Sequence, residues 1–327
     1  MNKKLAFSGL AIAALLVAGL IYRFYPYFLY KADYPVPAQA ESIKDPGQPL
    51  NPSDYQNYLG SLDRSTLKSL VNGVRVLERS IPNYSTAEAD QSFLAFNTFY
   101  METLNHCNDT FWQNESLSVK LRNATQGLSN DKLFDYLNKT SALQKDPEIR
   151  DLVQQISASG LILAVSEGGF YFTENPDFLY NRFSKYLSES LRVFLELRRQ
   201  ETAEGFAQDA GLLISFAKIG ERIINWEMYL GKYPDSPIRE LANYHYQLYL
   251  GTFLFGMDNS KVFEHKQLKP EIRKVYESFY QRFAKTKSGN LINRYYQVLR
   301  SNDFKYTKAA ENFLRDNQVQ ILPGIEP

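Results

Sequence analysis

The stretch TAEADQSFLAFNTFYMETL, residues 86–104, decides the fold class. Its large apolar residues recur every three or four positions, which places them on one face of an α-helix. They are Phe93, Phe96, Tyr100 and Leu104. The stretch therefore predicts a long amphipathic helix.

Three further segments show the same helical spacing of apolar residues. They are 67–77, with Ser65 as a candidate cap, 147–163 and 177–195. No long stretch alternates at period two, and helices and strands do not alternate along the chain. The sequence predicts an all-α body.

Two segments of the C-terminal half resemble each other at a spacing of about fifty residues. IINWEMYLGKYPDSPIREL begins at Ile223, and RKVYESFYQRFAKTKSGNL begins at Arg273. Trp226, Tyr229, Leu230 and Tyr233 of the first align with Tyr276, Phe279, Tyr280 and Phe283 of the second. Each segment reads as a helix, a turn and a second helix.

The turn at 232–237, KYPDSP, resembles the turn of tetratricopeptide-type repeats in bacterial envelope proteins. There a helix ends in Lys-Tyr-Pro-x-Ser and a second helix bearing Ala and Tyr follows. The resemblance covers about 30 residues, and the spacing near fifty departs from the ~34 residues of a standard repeat. It implies an array of helical hairpins, with an irregular helical bundle as the alternative.

One short string could carry chemistry. In AVSEGGFYFTENPDF, Glu167 is interpreted as standing at the end of an apolar helix beside a glycine turn. Such a carboxyl could have a raised pKa and act as a general acid, loosely similar to the glutamate of lytic transglycosylases. Phe170, Tyr171, Phe172, Trp226 and Tyr229 are the candidate ligand-binding aromatics. The alternative is an interhelix loop plugged by aromatic rings.

Metal and thiol chemistry have little support in the sequence. The histidines are His106, His245 and His265, and the cysteine is Cys107, so no internal disulfide can form. Only His106 has Cys107 and Asp109 nearby, and no second pair stands at zinc-ligand spacing. No nucleotide-binding loop or nucleophile elbow is present. We expect no metal and no cofactor, and an enzyme is less expected than a binding protein.

Five asparagines begin N-x-S/T sequons, namely Asn83, Asn108, Asn114, Asn123 and Asn138. In a eukaryotic secretory protein these would be glycan acceptors. In a bacterium they would only mark a polar, Asn-rich segment, which is the interpretation favoured here.

The N-terminus predicts a membrane anchor. Lys3 and Lys4 precede an uncharged run over residues 5–22, about 27 Å long as a helix, which is at the short end of a membrane span. An aromatic belt follows at 24–30. The charge distribution favours a cytoplasmic N-terminus and an extracytoplasmic body, with cleavage near Ala38-Gln39-Ala40 as the alternative.

These patterns predict three regions. Residues 1–30 form the transmembrane helix, the proline-rich segment 31–56 forms a stalk, and 57–320 form the helical body, with a possible subdivision near 168–176. The net charge of +1, from 37 basic and 36 acidic residues, does not favour nucleic acid as a partner. The sequence predicts a single-pass scaffold or adaptor that binds other envelope proteins. The alternative is a glycan-binding or glycan-cleaving protein that uses Glu167.

Overall fold

The computed structural model describes residues 45–128, 130–138, 145–166, 169–208 and 210–319. This part of the chain is mostly helical, as predicted, with 13 α-helices and four small two-stranded sheets. It divides into two compact units between Thr202 and Ala203, within the last turn of one helix, rather than near 168–176.

The N-terminal unit contains helices α1 to α8 and one β-hairpin, with short 3₁₀ turns at Ile81–Asn83 and Ser184–Tyr186. In chain order the elements are α1 (Pro52–Ser61), α2 (Leu67–Ser80), α3 (Thr86–Gln113), α4 (Glu115–Thr125), α5 (Asn130–Asn138), α6 (Pro147–Ser159), β1 (Leu161–Ser166), β2 (Gly169–Glu174), α7 (Pro176–Phe183) and α8 (Glu189–Glu204).

Helix α3 organises the N-terminal unit. The Ser85 hydroxyl accepts from the Glu88 N–H while the Glu88 carboxylate accepts from the Ser85 N–H, a capping box that fixes where the helix begins. The predicted apolar face is confirmed, since its four residues are all buried. The Phe93 and Phe96 rings each lie 5.8 Å from the Phe183 ring, and α3 also contacts α1, α2 and β2.

The helix predicted over 147–163 is four residues too long, because α6 ends at Ser159. Gly160 has a φ of 74°, in the left-handed region that glycine adopts readily. A Cβ there would lie 2.3 Å from Cδ1 of Phe178, so the packing also requires glycine. The apolar residues that follow form a strand and not a further turn of helix.

The helix predicted over 177–195 is also wrong in part, because it is two helices. Helix α7 ends at Phe183, a 3₁₀ turn follows, and α8 begins at Glu189. Between them Leu187 is extended, and the Ser188 N–H donates to Oδ1 of Asp90 on α3 at 2.8 Å. This contact with another helix replaces the intrahelical bond and interrupts the run.

Strands β1 and β2 form an antiparallel hairpin with Leu163 opposite Phe172. Cross-strand partners project from the same face of a sheet, and the face that carries Leu163 and Phe172 is buried. The opposite face, which carries Ile162 and Tyr171, is half-buried. The prediction of a body without strands is therefore wrong for this segment.

Two asparagine side chains close the two edges of this hairpin. Asn138 accepts from the Leu163 N–H at 2.8 Å and donates to its carbonyl at 3.2 Å. Asn108 does the same for Phe172, at 2.7 and 3.0 Å. Both backbone groups of each residue therefore point outward, which makes this rung a non-hydrogen-bonded pair. The amides replace the neighbouring strands that the hairpin lacks at this rung.

Residues 45–56, predicted as the end of a stalk, belong to the folded unit. Arg79 pairs with the Asp45 carboxylate at 2.7 and 3.0 Å and holds the pKa of that carboxyl at about 2. The Leu50 N–H donates to Ser80 Oγ at 2.9 Å, and α1 begins with Pro52 at its first position. Proline is tolerated there because the first N–H of a helix needs no intrahelical acceptor.

The predicted transmembrane helix and most of the predicted stalk, residues 1–44, lie outside the described residues. Among the residues that are described, no helix is both long enough and apolar enough to cross a membrane.

The C-terminal unit contains two helical hairpins separated by short β-hairpins. Its elements are β3 (Ala207–Gln208), β4 (Gly211–Leu212), α9 (Phe216–Lys232), α10 (Arg239–Phe255), β5 (Gly256–Met257), β6 (Ser260–Lys261), β7 (Phe263–Glu264), β8 (Gln267–Leu268), α11 (Pro270–Arg282), α12 (Lys287–Arg300) and α13 (Lys308–Asp316).

The pair α9–α10 and the pair α11–α12 are structural copies fifty residues apart. Residues 226–238 and 276–288 have the same order of buried, half-buried and exposed positions. The ring distance is 5.1 Å both for Tyr229 with Tyr233 and for Phe279 with Phe283. The predicted alignment of these residues is thus confirmed as an alignment of two helix-turn-helix units.

The two asparagines that hold the β1–β2 hairpin give a stability prediction. Replacing Asn108 or Asn138 by Ala leaves a buried N–H and C=O without their partner, which costs about 1–3 kcal/mol per site. Urea unfolding followed by circular dichroism measures the loss. Asn123→Ala, at an exposed sequon on α4, is the matched control and is expected to change stability by less than about 0.5 kcal/mol. Equal losses of stability at all three positions would contradict the role of Asn108 and Asn138 as hydrogen-bond partners of the hairpin backbone.

Candidate functional site

Of the aromatic residues predicted beside Glu167, Phe170 and Phe172 face the core and do not line an open cleft. Glu167 itself lies outside the described residues, and the preceding segment is the strand β1 and not a helix. Phe170 and Phe172 are buried on the inner face of the hairpin, where Phe172 packs edge-on against Phe111 at 4.9 Å. Only Tyr171 projects from the half-buried outer face.

Trp226 and Tyr229 belong to the other compact unit, where both are buried in the core. The Trp226 ring stacks on His245 with centroids 4.8 Å apart, and the Tyr229 hydroxyl shares a 2.9 Å hydrogen bond with Ser236. These contacts join α9 to α10 and to the turn between them. The five predicted aromatics therefore do not share one compact unit, and four of them are core residues.

The cluster at His106 does not assemble a metal site. His106 and Asp109 are exposed, whereas Cys107 is buried on the same helix. No group of three potential ligands in the described part of the chain could hold a metal ion. Burial raises the pKa of the Cys107 thiol to about 12, with a smaller contribution from the charge of Asp63. A thiol in this state is a poor nucleophile at neutral pH.

A polar contact joins the two helical hairpins of the C-terminal unit. Glu227, on α9, receives hydrogen bonds from the first turn of α12. Its carboxylate accepts from the Lys287 N–H at 2.7 Å, from the Ser288 N–H at 2.8 Å and from the Ser288 hydroxyl at 2.5 Å. The first N–H groups of a helix have no intrahelical acceptor, so this carboxylate satisfies two of them.

A tyrosine completes this site. The Tyr246 hydroxyl, on α10, lies 3.0 Å from the Ser288 hydroxyl, so the serine stands between the tyrosine and the glutamate. Burial raises the pKa of Tyr246, the hydrogen bond with Ser288 opposes this, and the charge of Glu227 adds to the rise. Glu227 and Tyr246 thus bind the N-terminal turn of α12 through its backbone N–H groups and the Ser288 hydroxyl.

The same pair recurs fifty residues further along. Glu277 corresponds to Glu227, and Tyr296 corresponds to Tyr246. Here the Tyr296 hydroxyl donates directly to the Glu277 carboxylate, with no serine between them. Burial and the neighbouring Glu277 carboxylate raise the pKa of Tyr296 to about 12. Among the described residues Tyr296 provides the only hydrogen bond to Glu277, which is half-buried.

The surroundings of the two pairs differ in polarity. In the first copy Ile224 and Leu250 flank the pair at helical spacing and are buried. Their counterparts in the second copy are Lys274 and Arg300, which are exposed. We define the end face as Lys274, Glu277 and Arg300 at the surface together with Tyr296, whose ring is buried against Tyr280 and Phe304.

Sequence reasoning missed all four residues of this end face. The alignment of 223–241 with 273–291 places Glu227 opposite Glu277, although the aromatic positions are its strongest feature. Extending the same offset into the second helix of each hairpin aligns Tyr246 with Tyr296. The repeated Glu–Tyr pair can therefore be found from the sequence alignment alone.

The end face combines a carboxylate that accepts from the Tyr296 hydroxyl with two cations, groups that can form hydrogen bonds and ion pairs with a ligand. Comparisons with models of known protein families, with curated proteins and with solved structures found no match to this chain.

The burial of Cys107 predicts slow thiol chemistry. In the folded protein at pH 8, Cys107 is expected to react with a thiol reagent at least about tenfold more slowly than in denaturant, because it is both inaccessible and protonated. Labelling with iodoacetamide followed by mass spectrometry measures both rates. Equal rates would contradict the burial.

The two copies predict different responses to the same substitution. Glu227→Gln removes an ionised acceptor from two backbone N–H groups of α12 and is expected to cost about 1–2 kcal/mol, as for the loss of an N-cap. Glu277→Gln keeps an acceptor for Tyr296 and is expected to change stability by less than about 0.5 kcal/mol. Thermal unfolding of the two variants makes the comparison. A larger loss of stability for Glu277→Gln than for Glu227→Gln would contradict the interpretation that only the Glu227 carboxylate caps a helix.

Proposed function

We propose that the protein is a membrane-anchored scaffold or adaptor of the cell envelope, and that its C-terminal unit binds another envelope protein. The sequence supports the anchor through its two lysines, the uncharged run over 5–22 and the aromatic belt at 24–30. In this proposal the N-terminus is cytoplasmic and the folded units are extracytoplasmic.

The observation that carries the binding function is the repeated helical hairpin with its end face. Stacked hairpins bury a continuous core and present their remaining faces to partners. In the first copy the first turn of α12 lies on the Glu–Tyr pair, whereas the pair in the second copy is flanked by the exposed cations Lys274 and Arg300. A polar face of this kind is suited to a transient protein–protein interaction.

The resemblance to tetratricopeptide-type repeats agrees with this proposal but does not carry it. The predicted turn at 232–237 joins α9 to α10, so the predicted helical hairpin is present. The family itself remains a prediction.

The glycan-binding or glycan-cleaving alternative has less support. It requires an aromatic cleft beside Glu167, and the rings of Phe170 and Phe172 are buried against α3 and the core of the N-terminal unit. A test of this alternative is the comparison of wild type with Glu167→Gln for cell-wall glycan binding and turnover.

The membrane anchor predicts where the chain is found and how it begins. Expressed in full in a bacterium, the protein is expected in the membrane fraction after a carbonate wash, with Met1 or Asn2 at its N-terminus by mass spectrometry. A deletion of residues 1–30 is the control and is expected in the soluble fraction. A soluble product that starts near Glu41 would contradict the anchor.

The partner is tested in the native envelope with a photoreactive residue at Met228, whose side chain is 66% exposed on α9, and separately at Lys274 on the end face. One defined cross-linked protein is expected from at least one position. If neither position yields a reproducible adduct, the adaptor function loses its support.

A further inference from the structure

The two copies of the helical hairpin show one polar site in two states. In the first copy the Glu227 carboxylate holds the first turn of α12, and the Ser288 hydroxyl lies between Glu227 and Tyr246. In the second copy Tyr296 bonds directly to Glu277. Among the described residues no helix begins beside the Glu277 carboxylate, so the second copy keeps the Glu–Tyr pair without a helix N-terminus on it.

We propose that the end face binds the N-terminal turn of an α-helix from a partner protein, with a Ser or Thr at the second helical position. This inference rests on the proposed binding function and states what the partner presents. The chain itself supplies the example, because α12 offers this chemistry to Glu227: a Thr286 cap followed by Lys287 and Ser288.

The carboxylate selects a helix N-terminus for an electrostatic reason. The exposed N–H groups of a first turn carry about half a positive charge, and they are the groups that lack intrahelical acceptors. The Glu277 carboxylate is half-buried and receives one hydrogen bond from the described residues, so it retains acceptor positions for these N–H groups.

The tyrosine selects a hydroxyl side chain. In the first copy the Ser288 hydroxyl donates its one proton to Glu227 and accepts from the Tyr246 hydroxyl, so one serine bridges both partners. Inserting the same group between Tyr296 and Glu277 exchanges one hydrogen bond for two. A helix with alanine at this position would break the existing bond without making the bridge.

The flanking cations restrict the partner further. Lys274 and Arg300 stand where the first copy has Ile224 and Leu250. An apolar occupant such as another stacked hairpin would have to bury these charges without compensation. A first turn that carries Asp or Glu, as helix N-termini commonly do, places opposite charges against them.

The test uses the full chain and a peptide derived from its own α12. The peptide comprises residues 284–300 with Lys285 and Lys287 both replaced by Glu, held helical by a hydrocarbon staple on the side away from Ser288. Binding is followed by fluorescence anisotropy at low and high salt. We expect saturable binding that weakens at least tenfold in the chain variant Glu277→Gln and at least threefold for Tyr296→Phe.

Matched controls separate the end face from general charge attraction. Glu240→Gln, an exposed position on α10 with the same charge change, is expected to bind as the wild type does. A peptide with Ser288→Ala is expected to bind at least tenfold more weakly, and raising the salt concentration is expected to weaken binding of the parent peptide.

Two results would overturn the inference: no binding of the peptide at millimolar concentration, or binding that is the same for wild type and Glu277→Gln. These results are distinguishable from failure of the adaptor function. If the photoreactive residues capture a defined partner in the envelope while the peptide fails, the binding function stands and only the helix N-terminus at the end face is rejected.

Discussion

Backbone N–H and C=O groups at helix ends and strand edges need hydrogen-bond partners when they are buried. In this protein distant side chains meet that need. Asn108 and Asn138 serve the hairpin from 64 and 25 residues away, and Glu227 serves the start of α12 from 61 residues away. Two isolated strands are marginal in water, so the hairpin depends on these helices to be stable.

The tyrosines extend the same principle to buried carbonyls, and they account for part of the high aromatic content. Tyr55 donates to the Gly73 carbonyl at 3.1 Å, and Tyr276 donates to the carbonyls of Phe253 and Leu254. Each side chain buries a large apolar ring and ends in a group that can satisfy the backbone. At these two positions the tyrosines are better explained by helix packing than by a ligand-stacking surface.

The two helical hairpins place the same Glu–Tyr pair in two different surroundings. Gly220 lets α11 approach α9 closely, since a Cβ there would lie 2.8 Å from the Phe279 ring. In the first hairpin the buried residues Ile224 and Leu250 flank the Glu–Tyr pair. In the second hairpin the exposed residues Lys274 and Arg300 take these two positions. The same Glu–Tyr pair therefore lies in an apolar setting in the first hairpin and beside two exposed cations in the second.

The sequence by itself determined the features that depend on neighbours in the chain. Apolar spacing placed α2 and α3, and the aligned aromatics located the two helical hairpins. These helix predictions succeed because an α-helix depends on hydrogen bonds and side-chain contacts between residues about four positions apart. Helix ends were less well predicted, as the run over 147–163 shows.

Only the tertiary structure decided the hairpin and the end face. The run LILAVS, residues 161–166, is short and apolar enough for a helix or a strand. Gly160 and the distant Asn138 resolve it as a strand. Glu227 and Glu277 look alike in sequence, and their difference lies in whether a helix begins beside the carboxylate. That contact joins residues some sixty positions apart, so no local pattern determines it.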